Sequence, residues 1–443
     1  LWISFPDLPI GNFRFTAQFW SMKHMPSIAE KLSRVSALSP KTRVHPGIRQ
    51  TSRSAADSER LMRLLNGERR CNSLGSYIRV RCDFAEPRAV EVSPRALRLL
   101  AASTSDLDDL LCDFRNWLFL DTETTGLAGG TGTYAFLIGI AWWEGNGFMV
   151  EQYFMRDHSD EPSLMSELSE RLARHRVLVT FNGKSFDWPL LRTRFQMTRV
   201  KTFQEPLLHL DLLHPSRQIW RLRLKSVALT QLENHVLGFD RGHDVPSSSI
   251  PQRYFDFLRG GPAELITEIF RHNQWDLCGL AMLAMRLATI LEDPVKNGCD
   301  ATELFGISRF LQRRGEEKLA AKFYRKAIES GLPKAAEQTA QKELALLAKR
   351  WHDFELSNAL WEKLLGGSTD GLKAYEQLAI YYEHRARLPH KAVKLSREAL
   401  AQIREAFHNG CISEDKYMRW HASFRHRLTR LAAKVAINPP VIL

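Results

Sequence analysis

The run Trp117-Leu118-Phe119-Leu120 is apolar at every position and reads as a buried strand that passes straight into Asp121-Thr122-Glu123. The pattern on either side predicts a succession of elements. Ser76–Cys82 alternates apolar and polar, as a half-buried strand does, after a turn at Leu74-Gly75. Ser93-Pro94 opens a helix through Ala96, Leu97, Leu99 and Leu100, and Asp106–Leu111 predicts another short one. Strands follow at 134–143 and 148–155, joined by the hairpin turn Gly145-Asn146-Gly147. Leu164, Leu168 and Leu172 recur at helical spacing within Ser163–His175. Val177–Phe181 reads as a buried strand, with a helix from Ser185, a short strand at His209–Leu213 and a long helix over Ala263–Leu291. Three antiparallel strands, then strands alternating with helices, predict an α/β sheet.

Beyond residue 302 the pattern is helical throughout. Tyr324, Trp361 and Ser396 occupy matching places, each followed three residues later by Ala327, Leu364 and Ala399 and preceded by Ala320, Ser357 and Ala392. The interval of roughly 35–37 residues is near the tetratricopeptide period of about 34. The segment resembles two or three degenerate tetratricopeptide repeats; an ordinary helical bundle is the other reading. The chain therefore divides into a weakly ordered basic arm at 1–58, a small lead-in segment at 59–115, a sheet domain at 116–293 and a helical domain at 300–435. Pro294 and Gly298 mark the last boundary.

Composition narrows the class. Of 443 residues, 44% are hydrophobic and 25% charged, which suits two or three globular domains. The net charge of +12 favours an anionic partner, nucleic acid first, although a basic surface also serves solubility. Six cysteines are scattered without a C-x-x-C pair, which suggests neither a zinc site nor a disulfide framework and points to the reducing cytoplasm. No run approaches about 18 apolar residues, so no membrane span is expected. The opening twenty residues lack a basic region followed by an apolar core, and the chain does not begin with Met; Met22 and Met25 are candidate starts. Gly129–Thr133 is a glycine-rich loop with neither dinucleotide nor P-loop spacing. There is no G-x-S-x-G and no cysteine in a nucleophile setting.

The candidate chemistry begins at the end of the first core strand. Asp121 and Glu123 point to the same side, because side chains alternate along a strand. Two carboxylates so close repel, and a divalent cation with oxygen ligands is the usual reason for keeping both ionised. From the spacing alone, a solvated pair of acids at a strand end reads equally well.

The flanking residues carry a resemblance. Asp121-Thr122-Glu123-Thr124-Thr125-Gly126-Leu127 after an apolar strand resembles the first motif of the DEDD superfamily of exonucleases, which share an RNase H-like fold. That superfamily draws four acids from three motifs, so the other two can be sought. Asn182-Gly183-Lys184-Ser185-Phe186-Asp187-Trp188-Pro189 resembles the second. Arg271-His272-Asn273-Gln274-Trp275-Asp276 supplies the third, with His272 and Asp276 on one helical face. The chain departs from the common pattern here: the His-type subclass places its histidine five before the acid and the Tyr-type subclass uses four, whereas this chain has His at four and Arg271 at five. With the helical tail, the arrangement is similar to the YprB-type branch over about residues 65–400.

The resemblance implies an RNase H-like mixed sheet flanked by helices, then an all-α tetratricopeptide-like domain. It implies a metal-dependent nuclease acting on phosphodiester bonds of DNA or RNA, most simply a 3′-to-5′ exonuclease. Asp121, Glu123, Asp187 and Asp276 would hold two divalent cations, Mg²⁺ or Mn²⁺, with His272 as base. Thr124, Gly126, Leu127, Asn182 and Phe186 would line the terminal nucleotide of a single-stranded 3′ end. Asp211 reads either as a further acid behind the ligands or as a structural strand-end residue. The helical tail would bind a protein partner or extend the substrate track. The alternative is a nucleic-acid-binding scaffold without turnover, against which the four clustered acids argue; endonuclease action is a third reading.

Overall fold

The computed structural model describes residues 51–126, 132–200, 205–365 and 369–437. The basic arm up to residue 50, Leu127, and residues 129–131 of the glycine-rich loop lie outside the described residues. The end of the expected arm is helical, as part of α1 (Thr51–Leu65). Next come β1 (Glu68–Asn72), β2 (Gly75–Phe84), α2 (Pro94–Ala101) and α3 (Asp108–Cys112). The centre comprises β3 (Trp117–Thr124), β4 (Ala135–Glu144), β5 (Gly147–Phe154), α4 (Glu161–Arg174), β6 (Val177–Thr180), α5 (Asp187–Thr198) and β7 (Leu208–Asp211). Then follow α6 (Leu213–Trp220), α7 (Leu229–Leu232), α8 (Ile250–Leu258) and α9 (Glu264–Glu292).

The strands form one mixed sheet in the order β1-β2-β5-β4-β3-β6-β7. The pairs from β1 to β3 are antiparallel, and β3, β6 and β7 run parallel. Residues 59–115, expected as a lead-in packed on the core, instead contribute two strands of this sheet, with β2 paired along β5. The sequence Glu-Arg-Arg-Cys-Asn of β1 is exposed throughout, so it has no apolar alternation to read, and its charges blunt the sheet edge.

The sheet is covered on both faces, which is why β3 opens as an unbroken apolar run. Trp117 and Phe119 enter one core with Leu277–Leu291 of α9; Leu118 and Leu120 enter the other with α4, α5 and α8. α9 is long and apolar enough to cross a membrane by length and composition, yet 61% of its most apolar window is buried inside the protein.

The remaining described chain is helical: α10 (Ala301–Arg313), α11 (Glu317–Glu329), α12 (Lys334–Arg350), α13 (Phe354–Lys363), α14 (Thr369–His384), α15 (Pro389–His408) and α16 (Glu414–Ile437). Tyr324, Trp361 and Ser396 lie on α11, α13 and α15, the second members of three packed helix pairs, and all three are buried. The tail is joined firmly to the sheet domain. A Cβ at Gly306 of α10 would stand 2.3 Å from the Ile219 carbonyl oxygen of α6, so only glycine allows this approach. Trp220 Nε1 also donates to Glu303 Oε1 at 2.8 Å.

Candidate functional site

The two faces of β3 decide where its acids go. Asp121 and Glu123 continue the Trp117/Phe119 face toward α9, and Thr122 continues the other face toward α5. Accordingly, Asn273 Nδ2 on α9 donates to Asp121 Oδ2 at 2.8 Å, while Thr122 Oγ1 donates to Asp187 Oδ1 at 2.5 Å. The acids thus approach the end of β3 from both sides. On α9, Ile266, Ile269 and Phe270 belong to one apolar core and Leu277 onward to the other. The polar interval between them carries His272, Asn273 and Asp276. His272 Nε2 lies 3.3 Å from Asp276 Oδ2 and 3.9 Å from Glu123 Oε1. One ligand atom from each of Glu123, His272 and Asp276 falls within 4.8 Å of the others.

Asn273 is fully buried, and its Oδ1 accepts from Gln152 Nε2 at 2.8 Å. Gly139 of β4 pairs with Asp121 and makes room for the Asn273 amide: a Cβ at 139 would lie 2.0 Å from Asn273 Oδ1.

Asp121, Thr124, Gly126, Asn182, Phe186 and Asp187 line one cleft of about 650 Å³, with Ser247 at its wall. Phe186 is 56% exposed there, an aromatic face open to a ligand. Asn182 has φ +67°, a left-handed turn that asparagine tolerates better than most residues. Asp211 is turned to the backbone: its oxygens accept from the amides of Asn182 at 2.7 Å, Lys184 at 3.1 Å and Leu213 at 3.1 Å. It therefore braces the loop leading to Asp187.

Electrostatically the acids are in excess. Burial raises the Asp121 carboxyl well above its ordinary range, and Asp276 and Asp187 add to the rise against the hydrogen bond from Asn273. Glu123 is raised likewise, by burial first and then by Asp121 and Asp276. Burial pushes Asp187 up to about 6 despite its bond from Thr122.

Four residues to which the sequence reading gave no role complete the site: Glu233, Arg241, Asp244 and Asn273. Buried Arg241 donates to both Glu233 oxygens at 2.6 and 2.7 Å, to Asp244 Oδ2 at 3.0 Å and to Asp276 Oδ1 at 2.5 Å. A Cβ at Gly279 of α9 would strike Glu233 Oε1 at 1.9 Å, so that glycine admits the network. Both Asp244 oxygens lie 2.8 Å from His272 Nδ1. Burial would raise Asp244, but His272 and Arg241 outweigh it and hold the carboxyl below its ordinary range. The only available signal was the charge-dense loop Asp240-Arg241-Gly242-His243-Asp244, which has no periodicity to place it. Asn273 was inside the third motif, and only its burial against Asp121 distinguishes it.

The donor set fits a hard divalent cation: carboxylates and one imidazole converge, and their mutual repulsion is not cancelled by the single buried guanidinium. A family model described as RNase H superfamily matches residues 118–288. The uncharacterized protein YprB of Bacillus subtilis is 30% identical over 323 residues, 72% of this chain and 75% of its own length.

Proposed function

The chain belongs to the RNase H superfamily, on the branch represented by YprB, and from that membership we propose that it is a metal-dependent 3′-to-5′ exonuclease on DNA or RNA. The observation that carries this reading is that acids from three remote segments gather at the end of β3 and raise one another, with Asp121 and Asp187 opening onto the cleft. Asp121, Glu123, Asp187 and Asp276 would hold two divalent cations, Mg²⁺ or Mn²⁺. When bound, such cations supply charge neutralisation at a scissile phosphate and a more acidic water. Asp244 is hydrogen-bonded to His272 Nδ1 and orients the ring so that Nε2 faces Glu123 and Asp276. That atom is placed to take a proton inside the acid cluster. Asn273 fixes Asp121, and Asp211 fixes the loop before Asp187, so the acids are held rigidly. The cleft with exposed Phe186 would take a terminal nucleotide by stacking.

End-labelled DNA and RNA oligonucleotides, incubated side by side with Mg²⁺ or Mn²⁺, test the reading. The wild type is expected to shorten them stepwise, and Asp121→Ala to lower the rate by about 10³-fold or more. A circular single strand should survive; its cleavage would indicate endonuclease action. The scaffold reading has one observation in its favour, since Arg241 already neutralises part of Asp276. Oligonucleotide binding without any metal-dependent cleavage would establish that reading instead.

A further inference from the structure

A second charged site lies between the sheet domain and the helical tail, and its charge is of the opposite sign. His214, Arg217 and Arg221 run along α6 and just past its end, at intervals of three and four residues, so they share one helical face. Arg309 and Arg313, four apart on α10, share another. The two faces meet around a pocket of about 540 Å³ that is also lined by Gln218, Leu222, Phe305 and Gly306. No carboxylate lines it, and among the described residues none of the four arginines makes an ion pair. The tight Gly306–Ile219 contact holds the two faces together, so the like charges cannot simply move apart.

The neighbouring arginine shows that the fold could have neutralised them. Arg223, two residues beyond Arg221, pairs with Glu303 at 2.8 Å. Four guanidiniums around an apolar floor at Phe305 focus a positive potential, and a guanidinium matches a phosphate in charge and in fork geometry. The pocket is also close to the acid cleft along the chain. His214 stands three residues after Asp211, whose carboxylate braces the Asn182 loop, and β7 ends at the same edge as β3 because the two run in the same direction. From His214 to Arg221 the row rises roughly 10 Å along the helix.

We propose that this pocket is a phosphate-binding station for the single-stranded nucleic acid whose 3′ end enters the acid cleft, formed jointly by α6 and the first tail helix. The inference rests on the nucleic-acid reading of that cleft and gives the tail a role in substrate binding. Two sources of phosphate are distinguished by experiment: a polynucleotide backbone and a small free anion.

The test is fluorescence anisotropy without divalent cations, using labelled single strands of about 30 and about 5 nucleotides. The full chain carrying R217A, R221A, R309A and R313A should bind the long strand about tenfold or more weakly near ~0.1 M salt. Its log-affinity against log-salt slope should flatten by about 0.7 for each phosphate that the variant no longer neutralises. Binding and metal-dependent cleavage of the short strand should be unchanged. The matching four-lysine variant should keep most of the salt slope, because the charge remains. An alanine variant that melts like wild type and binds the long strand with unchanged affinity and slope would overturn the proposal. So would competition in which pyrophosphate raises the melting temperature of wild type but not of the alanine variant, while long-strand binding is equal in both. If wild type cleaves nothing yet the alanine variant loses long-strand binding, the hydrolytic reading fails and this site stands. If cleavage is metal-dependent and both proteins bind the long strand alike, the reverse holds.

Discussion

Glu383, buried in the tail, and Asp121, half-buried at the end of β3, are both acids withdrawn from bulk water, and they differ in their neighbours. Glu383 is surrounded by cations: Arg430 at 2.7 and 2.8 Å, Lys434 at 2.9 Å and Arg427 at 3.0 Å. Burial alone would raise its pKa, but Arg430 and Lys434 outweigh burial and hold it at about 2. Beside Asp121 stand Asp276 and Asp187, so burial and these acids act in the same direction and raise it, outweighing Asn273 and Arg241. The contrast separates charge that the fold satisfies internally from charge left for a ligand. The α6–α10 pocket belongs to the second kind with the sign reversed.

The sharpest way to break the contrast is to remove Arg241, which pairs with Glu233, Asp244 and Asp276 inside the acid site. Arg241→Met leaves Glu233 buried without its partner and is expected to cost about 3–5 kcal/mol by denaturant unfolding. Adding Glu233→Gln should restore part of it; a single variant as stable as wild type would show that Arg241 does not hold the site together.

Metal should act on one region only. Mg²⁺ or Mn²⁺ at a hundredfold over its Kd is expected to stabilise the wild type by about 2.7 kcal/mol, seen as a rise in Tm that EDTA reverses. Asp121→Asn should melt higher than wild type without metal, having shed one repelling charge, and should lose most of the metal response. Glu383→Gln should keep the full response. An equal response in Asp121→Asn and wild type would remove Asp121 from the ligand set.

Acid should distinguish the regions by sign. The folded-state pKa of Glu383 is depressed, so its contribution is present above about 4.5 and is lost as pH falls toward about 2. That of Asp187 is raised to about 6, so its folded form prefers the proton, and metal-free stability falls as pH rises from about 4 through 6. Thermal melts of metal-free protein should show Asp187→Asn flattening the pH 4–6 slope and Glu383→Gln flattening the fall below about 4.5. Curves that overlay the wild type across both windows would mean that neither environment perturbs its acid.

Much of the site could be read in advance because its signals are local. An apolar run ending in Asp121-Thr122-Glu123 fixes which side chains share a face, and four-residue spacing does the same for His272 and Asp276. Strand β1 and the Arg241–Asp244 loop could not be read, since an exposed charged edge and an aperiodic loop have no hydrophobic period. Asp211 was ambiguous because a strand-end acid looks the same whether it meets a metal or, as here, three backbone amides.

By itself the sequence determined the strand and helix periods, the face taken by each acid and the recurrence of buried positions in the tail, all of which depend on neighbours a few residues apart. Only the tertiary structure decided that Arg241 reaches Asp276, that Glu383 is enclosed by Arg427, Arg430 and Lys434, and that Arg217 and Arg309 face one pocket without an acid. The reason is that compensation of charge depends on distance through space and on exclusion of water, and neither scales with separation along the chain.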